Sequence, residues 1–267
     1  MVKKAKTEPS PNVYFEKMNL EEFFKEYPRV AIAFSGGCDS AYLTYAALKY
    51  AKEVKAYYVK TAFQPEFELE DALKFAKEYA LNLSVIECDI LSIKEVTDNP
   101  ANRCYFCKNQ IFGKILAGAK EDGFETILDG TNASDDSTDR PGMKALEEMK
   151  VISPLRLAGL SKSEIRALSR EAGLFTWNKP AYACLATRVP TGEKITGEIL
   201  NKTEKAETYL ASLGLTNFRV RYRDGGALIQ IADGQQDLYE QNKDKIEAEL
   251  GRYYVNLKLD EKLREKI

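Results

Sequence analysis

A six-residue segment rich in glycine and serine has the residue types that most directly suggest chemistry. It follows an apolar run and precedes a helical pattern of apolar residues. A strand, a tight loop and a helix in this order place backbone N–H groups and a helix N-terminus around a bound anion. The glycines let the backbone approach phosphate oxygens, the serines add hydroxyl donors, and the aspartate offers a carboxylate to a magnesium ion. The spacing differs from that of the Walker loop. We predict a phosphate-binding loop, with an ordinary turn as the structural alternative; its residues are Ser35, Gly36, Gly37, Asp39 and Ser40.

Three of the five cysteines form a second candidate site. Cys104 and Cys107 are spaced to share one side of a predicted helix, and a helix N-terminus lowers thiol pKa values, which favours metal binding. Cys184 is the third candidate ligand, on a long connection. Three thiolates suit a [4Fe-4S] cluster with one open iron, although four-cysteine ligation is more usual. A zinc site, which would need a fourth ligand, and plain core packing remain open. We assign Cys38 and Cys88 to packing.

Polar residues also follow the fourth predicted strand. Asp129 and Gly130 open a segment of small hydroxyl, amide and carboxylate side chains that ends near Arg140. Ligands of parallel α/β sheets bind beyond the carboxyl ends of the strands, where this segment and the phosphate loop would meet. The segment could bind ribose, magnesium or substrate, and Arg140 could neutralise developing phosphate charge. A solvated acidic loop is the alternative.

Arginines on a predicted C-terminal strand form a third group. Arg219 and Arg221 alternate along the strand and therefore project from the same face. Paired guanidinium groups on a rigid strand suit bidentate capture of a carboxylate or phosphate. Exposed strand arginines without such a role are equally compatible with the pattern.

The composition is that of an ordinary globular protein. Of 267 residues, 44% are hydrophobic and 30% are charged, and 39 Lys plus Arg face 41 Asp plus Glu. This slightly acidic balance makes nucleic-acid binding by bulk charge unexpected. No apolar stretch has the length of a membrane span, and we expect a cytoplasmic protein. Histidine is absent, so proton transfer must use other side chains and a metal site must use thiolates and carboxylates.

Strand and helix patterns alternate through the first two thirds of the chain. This alternation predicts an α/β fold with a doubly wound parallel sheet. The predicted strands cover 29–34, 54–60, 83–88 and 125–129, and the predicted helices cover 40–52, 66–80 and 105–121. Ser161 and Glu164 form a capping box that predicts another helix ending at Gly173.

A smaller α/β unit is predicted after the long connection of residues 178–195. Its predicted elements are a helix at 196–213, a hairpin of strands 217–223 and 226–232, a helix at 235–250 and a strand at 252–258. We therefore divide the chain into three parts. These are a flexible tail at 1–12, a nucleotide-binding α/β domain at 13–193 and a small C-terminal α/β domain at 194–267.

These motifs resemble a known family across nearly the whole chain. The phosphate loop is similar to that of the PP-loop ATP pyrophosphatases, which split ATP between its α and β phosphates. Within that superfamily the chain resembles the LarE family of sulfur transferases, which make the nickel-pincer nucleotide cofactor of lactate racemase. The further motifs that carry the resemblance are residues 128–132, 139–142 and 177–180, residues 183–185, Thr187 with Arg188, and Arg219 with Arg221.

The resemblance implies a reaction and its cofactors. ATP with Mg²⁺ would adenylate a carboxylate of pyridinium-3,5-biscarboxylic acid mononucleotide, and sulfur would displace AMP to give a thiocarboxylate. The phosphate loop with Asp129 and Gly130 would bind ATP, and Asp39 would be catalytic. The substrate's phosphate and carboxylates would be held by Thr187, Arg188, Arg219 and Arg221. Family members also tend to form hexamers, so we expect a homo-oligomer.

Two sulfur strategies occur in this family. In one, a single cysteine five residues before the arginine gives up its own sulfur; here that position is Ala183. In the other, three cysteines hold a [4Fe-4S] cluster whose open iron carries sulfide from a sulfide donor. Cys104, Cys107 and Cys184 match the second pattern, with Cys184 both ligand and catalytic residue. A cluster-dependent tRNA thiolase, an ammonia-using amide synthetase and a non-enzymatic nucleotide sensor are the alternatives.

Overall fold

Two β-sheets form the framework of the part of the chain that the structure describes. The computed structural model describes residues 19–135 and 141–260. A four-stranded parallel sheet has the order β3-β2-β1-β4, and a three-stranded sheet has the order β5-β6-β7. In these described ranges the strands are β1 Arg29–Ala33, β2 Glu53–Lys60, β3 Leu83–Glu87, β4 Ile127–Leu128, β5 Arg219–Arg223, β6 Gly226–Gln230 and β7 Leu257–Leu259.

Helices connect the parallel strands and pack on both faces of the first sheet. Three short 3-10 turns accompany them at Ile90–Ser92, Phe175–Asn178 and Leu185–Arg188. The α-helices within the described ranges are α1 Leu20–Glu26, α2 Cys38–Tyr50, α3 Glu66–Glu78, α4 Lys94–Thr97, α5 Arg103–Glu121, α6 Pro141–Glu148, α7 Pro154–Leu157, α8 Lys162–Glu171, α9 Gly197–Ser212, α10 Gln236–Gln241 and α11 Lys243–Leu250.

The central strand β2 shows why the sheet must be covered on both sides. Tyr57 and Tyr58 are consecutive and both buried, because successive strand residues point to opposite faces. Tyr58 packs in the core formed with helices α1, α2, α3 and α8, whereas Tyr57 packs in the core formed with α5. This arrangement confirms the predicted doubly wound parallel sheet.

The C-terminal sheet has its own hydrophobic core. Val220 and Ile229, which are paired in the register of β5 and β6, are fully buried in it together with Leu210 of α9. The hairpin turns at Asp224 and Gly225, both of which have positive φ angles. No helix in the two described ranges is long and apolar enough to cross a bilayer.

Several predicted elements differ from those in the structure. The helix predicted at 235–250 is broken at Asn242 into α10 and α11, and the last strand is only β7, not residues 252–258. The helices α4, α6 and α7 were not predicted, since each spans no more than eight residues. The capping box of Ser161 and Glu164 is present at the start of α8. The predicted tail at 1–12 lies outside the described residues.

Candidate active site

The predicted phosphate loop lies at the carboxyl end of β1 and leads directly into α2. Gly37 is the N-cap of this helix, and Gly36 has a φ of 70°, a conformation that glycine adopts without strain. A side chain at Gly36 would also lie 3.1 Å from the carbonyl oxygen of Glu68. The hydroxyls of Ser35 and Ser40 are 3.0 Å apart. The loop is therefore compact, with the helix N-terminus facing outward from the sheet edge.

Asp39 lies in the first turn of α2, and one of its two carboxylate oxygens has polar partners whereas the other has none among the described residues. Its Oδ2 accepts a 2.6 Å contact from the ammonium of Lys162 and a 3.5 Å hydrogen bond from Asn132. Its Oδ1 is buried and has no hydrogen-bond partner among the described residues. Burying a carboxylate oxygen without a partner is costly. A hard cation such as Mg²⁺, which prefers oxygen ligands, would satisfy it.

Asp129 and Gly130 lie beside the loop, as the sheet topology requires. The Asp129 carboxylate accepts hydrogen bonds from Ser153 at 2.6 Å and Thr131 at 2.5 Å. A side chain at Gly130 would lie 2.9 Å from the backbone nitrogen of Ser40. Glycine is therefore required here for the segment after β4 to pack against the start of α2. Arg140, the predicted phosphate-neutralising residue, lies outside the described residues.

A cavity of about 500 Å³ opens above this edge of the sheet. Its walls combine the phosphate loop with the carboxyl-terminal half of β2, the first turn of α3, the middle of α5, residues 179–182 and Cys184. Three lysines contribute positive charge. Its polar and charged lining residues include Ser35, Asp39, Ser40, Tyr58, Glu68, Lys108, Asp129, Lys162, Lys179 and Cys184, and the glycines Gly37 and Gly130 also line it.

The three predicted metal-ligating cysteines lie near one another, and one of them lines this cavity. Cys184 lines it, Cys107 is partly buried and Cys104 is exposed. Burial, followed by the neighbouring thiols of Cys184 and Cys104, raises the pKa of Cys107 to about 12. Thiols are the donors that iron–sulfur clusters use. However, no group of three or more cysteine, aspartate or glutamate residues in the described ranges is arranged to hold a metal ion, so the three thiols are not spaced as metal ligands.

Arg188 fixes the position of residues 181–187, which we call the Cys184 segment. Its guanidinium group is fully buried and forms two hydrogen bonds with Glu207 of α9, at 2.8 and 2.9 Å. It also donates to the carbonyl oxygens of Ala183 and Cys184 at 2.8 and 3.3 Å. Glu207 additionally accepts a hydrogen bond from Tyr182. The ion pair of Arg188 with Glu207 thus attaches the Cys184 segment to helix α9.

The other predicted substrate-binding residues lie beside this segment and not on the cavity wall. Arg219 donates to the carbonyl oxygen of Ala181 at 2.9 Å, and Arg221 donates to that of Thr187 at 2.9 Å. Arg219 is buried, whereas Arg221 is partly exposed. The Thr187 hydroxyl donates to the Cys184 carbonyl oxygen. These residues and Arg188 therefore contact the chain both before and after Cys184.

Several cavity residues were not predicted from the sequence. Lys162 occupies the first position of a helix whose capping box was recognised, and Lys179 lies in the Trp-Asn-Lys-Pro motif, so both had a local signal. Lys108 directly follows Cys107. Burial lowers the pKa of its ammonium group. Glu68 is one of several carboxylates in the charged helix α3, and nothing in the local sequence indicated that it lines the cavity.

Comparison with known proteins agrees with this geometry. No family model matches the chain. It is 35% identical over 249 residues to an uncharacterized protein of Synechocystis sp., covering 91% of this chain and 92% of that protein. It is 30% identical over 249 residues to the pyridinium-3,5-bisthiocarboxylic acid mononucleotide synthase of Lactiplantibacillus plantarum, covering 91% and 90%. A tRNA-specific 2-thiouridylase of Thermotoga sp. is 25% identical over 199 residues, covering 57% of this chain and 54% of that protein.

The parallel sheet, the loop at its edge and these relatives define a protein of the PP-loop class. Within that class, the similarity to the L. plantarum synthase extends over nine tenths of both chains. The chain belongs to the LarE family.

Proposed function

We propose that this protein is an ATP-dependent sulfur transferase that converts pyridinium-3,5-biscarboxylic acid mononucleotide to its thiocarboxylate. The observation that carries the proposal is that Cys184 and the phosphate loop line one cavity. A sulfur atom delivered at Cys184 would therefore act on a carboxylate activated beside the loop. The name of the L. plantarum relative supplies the substrate class.

In the first step of the proposal the chain activates a carboxylate with ATP. The substrate carboxylate attacks the α-phosphate, and pyrophosphate leaves. The loop N–H groups and the N-terminus of α2 stabilise the phosphate charge. The free Oδ1 of Asp39 would bind Mg²⁺, and the Lys162 ammonium that now contacts Oδ2 is near enough to the loop to meet a phosphate oxygen.

In the same proposal the substrate lies between the loop and the Cys184 segment. Guanidinium groups suit its phosphate and carboxylates. Binding by Arg219, Arg221 and Thr187 stays a prediction, because these residues contact the Cys184 segment and do not line the cavity. A direct contact from Arg188 stays a prediction, because its guanidinium group is committed to Glu207 and the segment carbonyls. The hydrogen bonds of Arg188 to the carbonyl oxygens of Ala183 and Cys184 support a role in positioning Cys184.

For the sulfur source, we propose a [4Fe-4S] cluster held by Cys104, Cys107 and Cys184. When bound, such a cluster would supply an open iron that carries sulfide from a sulfide donor. The support is the donor set and the proximity of the three thiols, since Cys184 and Cys104 are near enough to Cys107 to add to the effect of burial on its pKa. Anaerobically purified protein should contain iron and acid-labile sulfide. Cys107→Ala should remove both, whereas Cys88→Ala, a buried core position, should retain them.

The homo-hexamer implied by the resemblance and the cytoplasmic location expected from the composition belong to the same proposal. The direct test of the function supplies sulfide and measures pyrophosphate and AMP formed from ATP with and without the pyridinium mononucleotide. We expect both products only when the mononucleotide is present. Stimulation by tRNA or by ammonia in its place would contradict the proposal and favour the thiolase or amide synthetase alternative.

A further inference from the structure

Glu68 is a carboxylate in the cavity wall that has no cation of its own. It lies on the first turn of α3 and lines the cavity. Two lysines face it, but Lys60 forms its ion pair with Glu66 at 2.9 Å and Lys179 forms its ion pair with Asp71 at 2.6 Å. Within the described ranges the Glu68 carboxylate accepts no hydrogen bond and forms no ion pair. It is therefore available to a ligand.

A second uncommitted group lies on the same wall. The Tyr58 side chain is 2% exposed, and its hydroxyl is buried without a hydrogen-bond partner among the described residues. Burial, followed by the charge of Glu68, raises the pKa of this hydroxyl, so it remains a donor at neutral pH. A buried donor without an acceptor is costly. A free donor and a free acceptor on one cavity wall indicate that a ligand contacts both.

The surroundings of Glu68 suit proton transfer at neutral pH. Burial raises its pKa to about 7, against the opposing effects of Lys179, Lys60 and Arg188 and with a small contribution from Asp71. A group that titrates at the working pH is the most effective general base. Because the chain contains no histidine, a carboxyl group of this kind is the available substitute.

We propose that Glu68 is the general base of the sulfur-transfer step, an inference that rests on the proposed function. The nucleophile is a hydrosulfide, which carries one proton that the thiocarboxylate product does not keep. The S–H bond breaks and the proton moves to the Glu68 carboxylate. The sulfur electron pair forms the C–S bond, and the C–O bond to AMP breaks with its electron pair retained by the phosphate oxygen. Glu68 then returns the proton to solvent.

The test separates adenylation from sulfur transfer in the full chain. Glu68→Gln keeps the shape of the side chain but cannot accept the proton. We expect pyrophosphate release in the first turnover near the wild-type rate and thiocarboxylate formation slowed by about 10²–10⁴-fold, with acyl-adenylate accumulating. Glu70→Gln, at an exposed position of the same helix, is the matched control and should behave as wild type in both assays.

The pH dependence provides a second measurement. With the hydrosulfide concentration held constant, the wild-type transfer rate should rise with a midpoint near pH 7, and Glu68→Gln should lose this rise. Equal transfer rates in wild type and Glu68→Gln would overturn the inference. So would a variant whose first-turnover pyrophosphate release is slowed as strongly as transfer, because Glu68 would then be an ATP ligand. If the proposed function itself is wrong, wild type will form no thiocarboxylate, and the role of Glu68 will then be wrong as well. This result differs from equal transfer rates in wild type and variant, which would contradict the role of Glu68 alone.

Discussion

Replacing Glu207 by alanine should be among the most destabilising single changes in this protein. The side chains of Arg188 and Glu207 are 0% and 5% exposed, so their ion pair is hardly screened by solvent. The substitution would leave a buried guanidinium group without its counter-charge, which typically costs about 3–5 kcal/mol. It would also remove the acceptor for the backbone N–H of Val220, at 2.9 Å.

Urea unfolding of Glu207→Ala against wild type measures this effect directly. Glu198→Ala is the control on the same helix, because its ion pair with Lys202 is largely exposed and should contribute less than about 1 kcal/mol. The double variant Arg188→Met with Glu207→Leu removes both charges. It should recover much of the lost stability, since buried ion pairs are often replaceable by apolar residues.

A loss below about 1 kcal/mol in Glu207→Ala would refute the reasoning, because buried unpaired charges cost more than that. A double variant as unstable as the sum of the two single changes would also refute it. In that case the contacts of Arg188 with the Cys184 segment, and not charge pairing, would be what stabilises this region.

Three further predictions concern the cavity. Asp39→Asn should reduce pyrophosphate release at least 100-fold, as expected for the loss of a key metal or charge contact, while a thermal melt shows the fold retained. Arg219→Ala and Arg221→Ala should each raise the mononucleotide concentration required by roughly tenfold to a hundredfold, from about 1.5–3 kcal/mol per charge-assisted contact, and leave the ATP requirement unchanged in steady-state assays. The raised pKa of Glu68, about 7 in the folded chain against 4.5, contributes stability that is present below pH 4.5 and lost as the pH rises through 7. The free energy of unfolding of wild type should therefore fall by about 2–3 kcal/mol between those pH values because of this group, and Glu68→Gln should not show this fall. Unfolding curves identical to wild type at both pH values would contradict the prediction.

The parts of the fold that could be predicted depend on local pattern. The parallel sheet followed from alternating apolar strands and amphipathic helices, and the phosphate loop followed from two glycines placed between a strand and a helix. The break at Asn242 could not be predicted, because the apolar spacing of 235–250 continues across it and tertiary packing decides the helix end. The short β7 was also missed in its bounds, since its pairing with β6 is long-range.

The site required contacts that no local pattern encodes. Asp39, Asp129 and Gly130 were predicted at one edge because the topology of parallel sheets places strand ends together. Whether Cys184 reaches that edge depends on the pairing of Arg188 with Glu207, whose spacing in sequence carries no signal. Glu68 becomes distinctive only because neighbouring carboxylates occupy the lysines around it.

The sulfur balance of a single reaction tests the central claim most directly. Anaerobic protein is given ATP, Mg²⁺, the pyridinium mononucleotide and sulfide, and the thiocarboxylate, pyrophosphate and intact protein mass are measured together. We predict one pyrophosphate for each thiocarboxylate, more than one thiocarboxylate per chain, and an unchanged protein mass. Pyrophosphate without thiocarboxylate would contradict sulfur transfer altogether. At most one thiocarboxylate per chain, with Cys184 losing the mass of hydrogen sulfide, would contradict the cluster and identify a sacrificial cysteine.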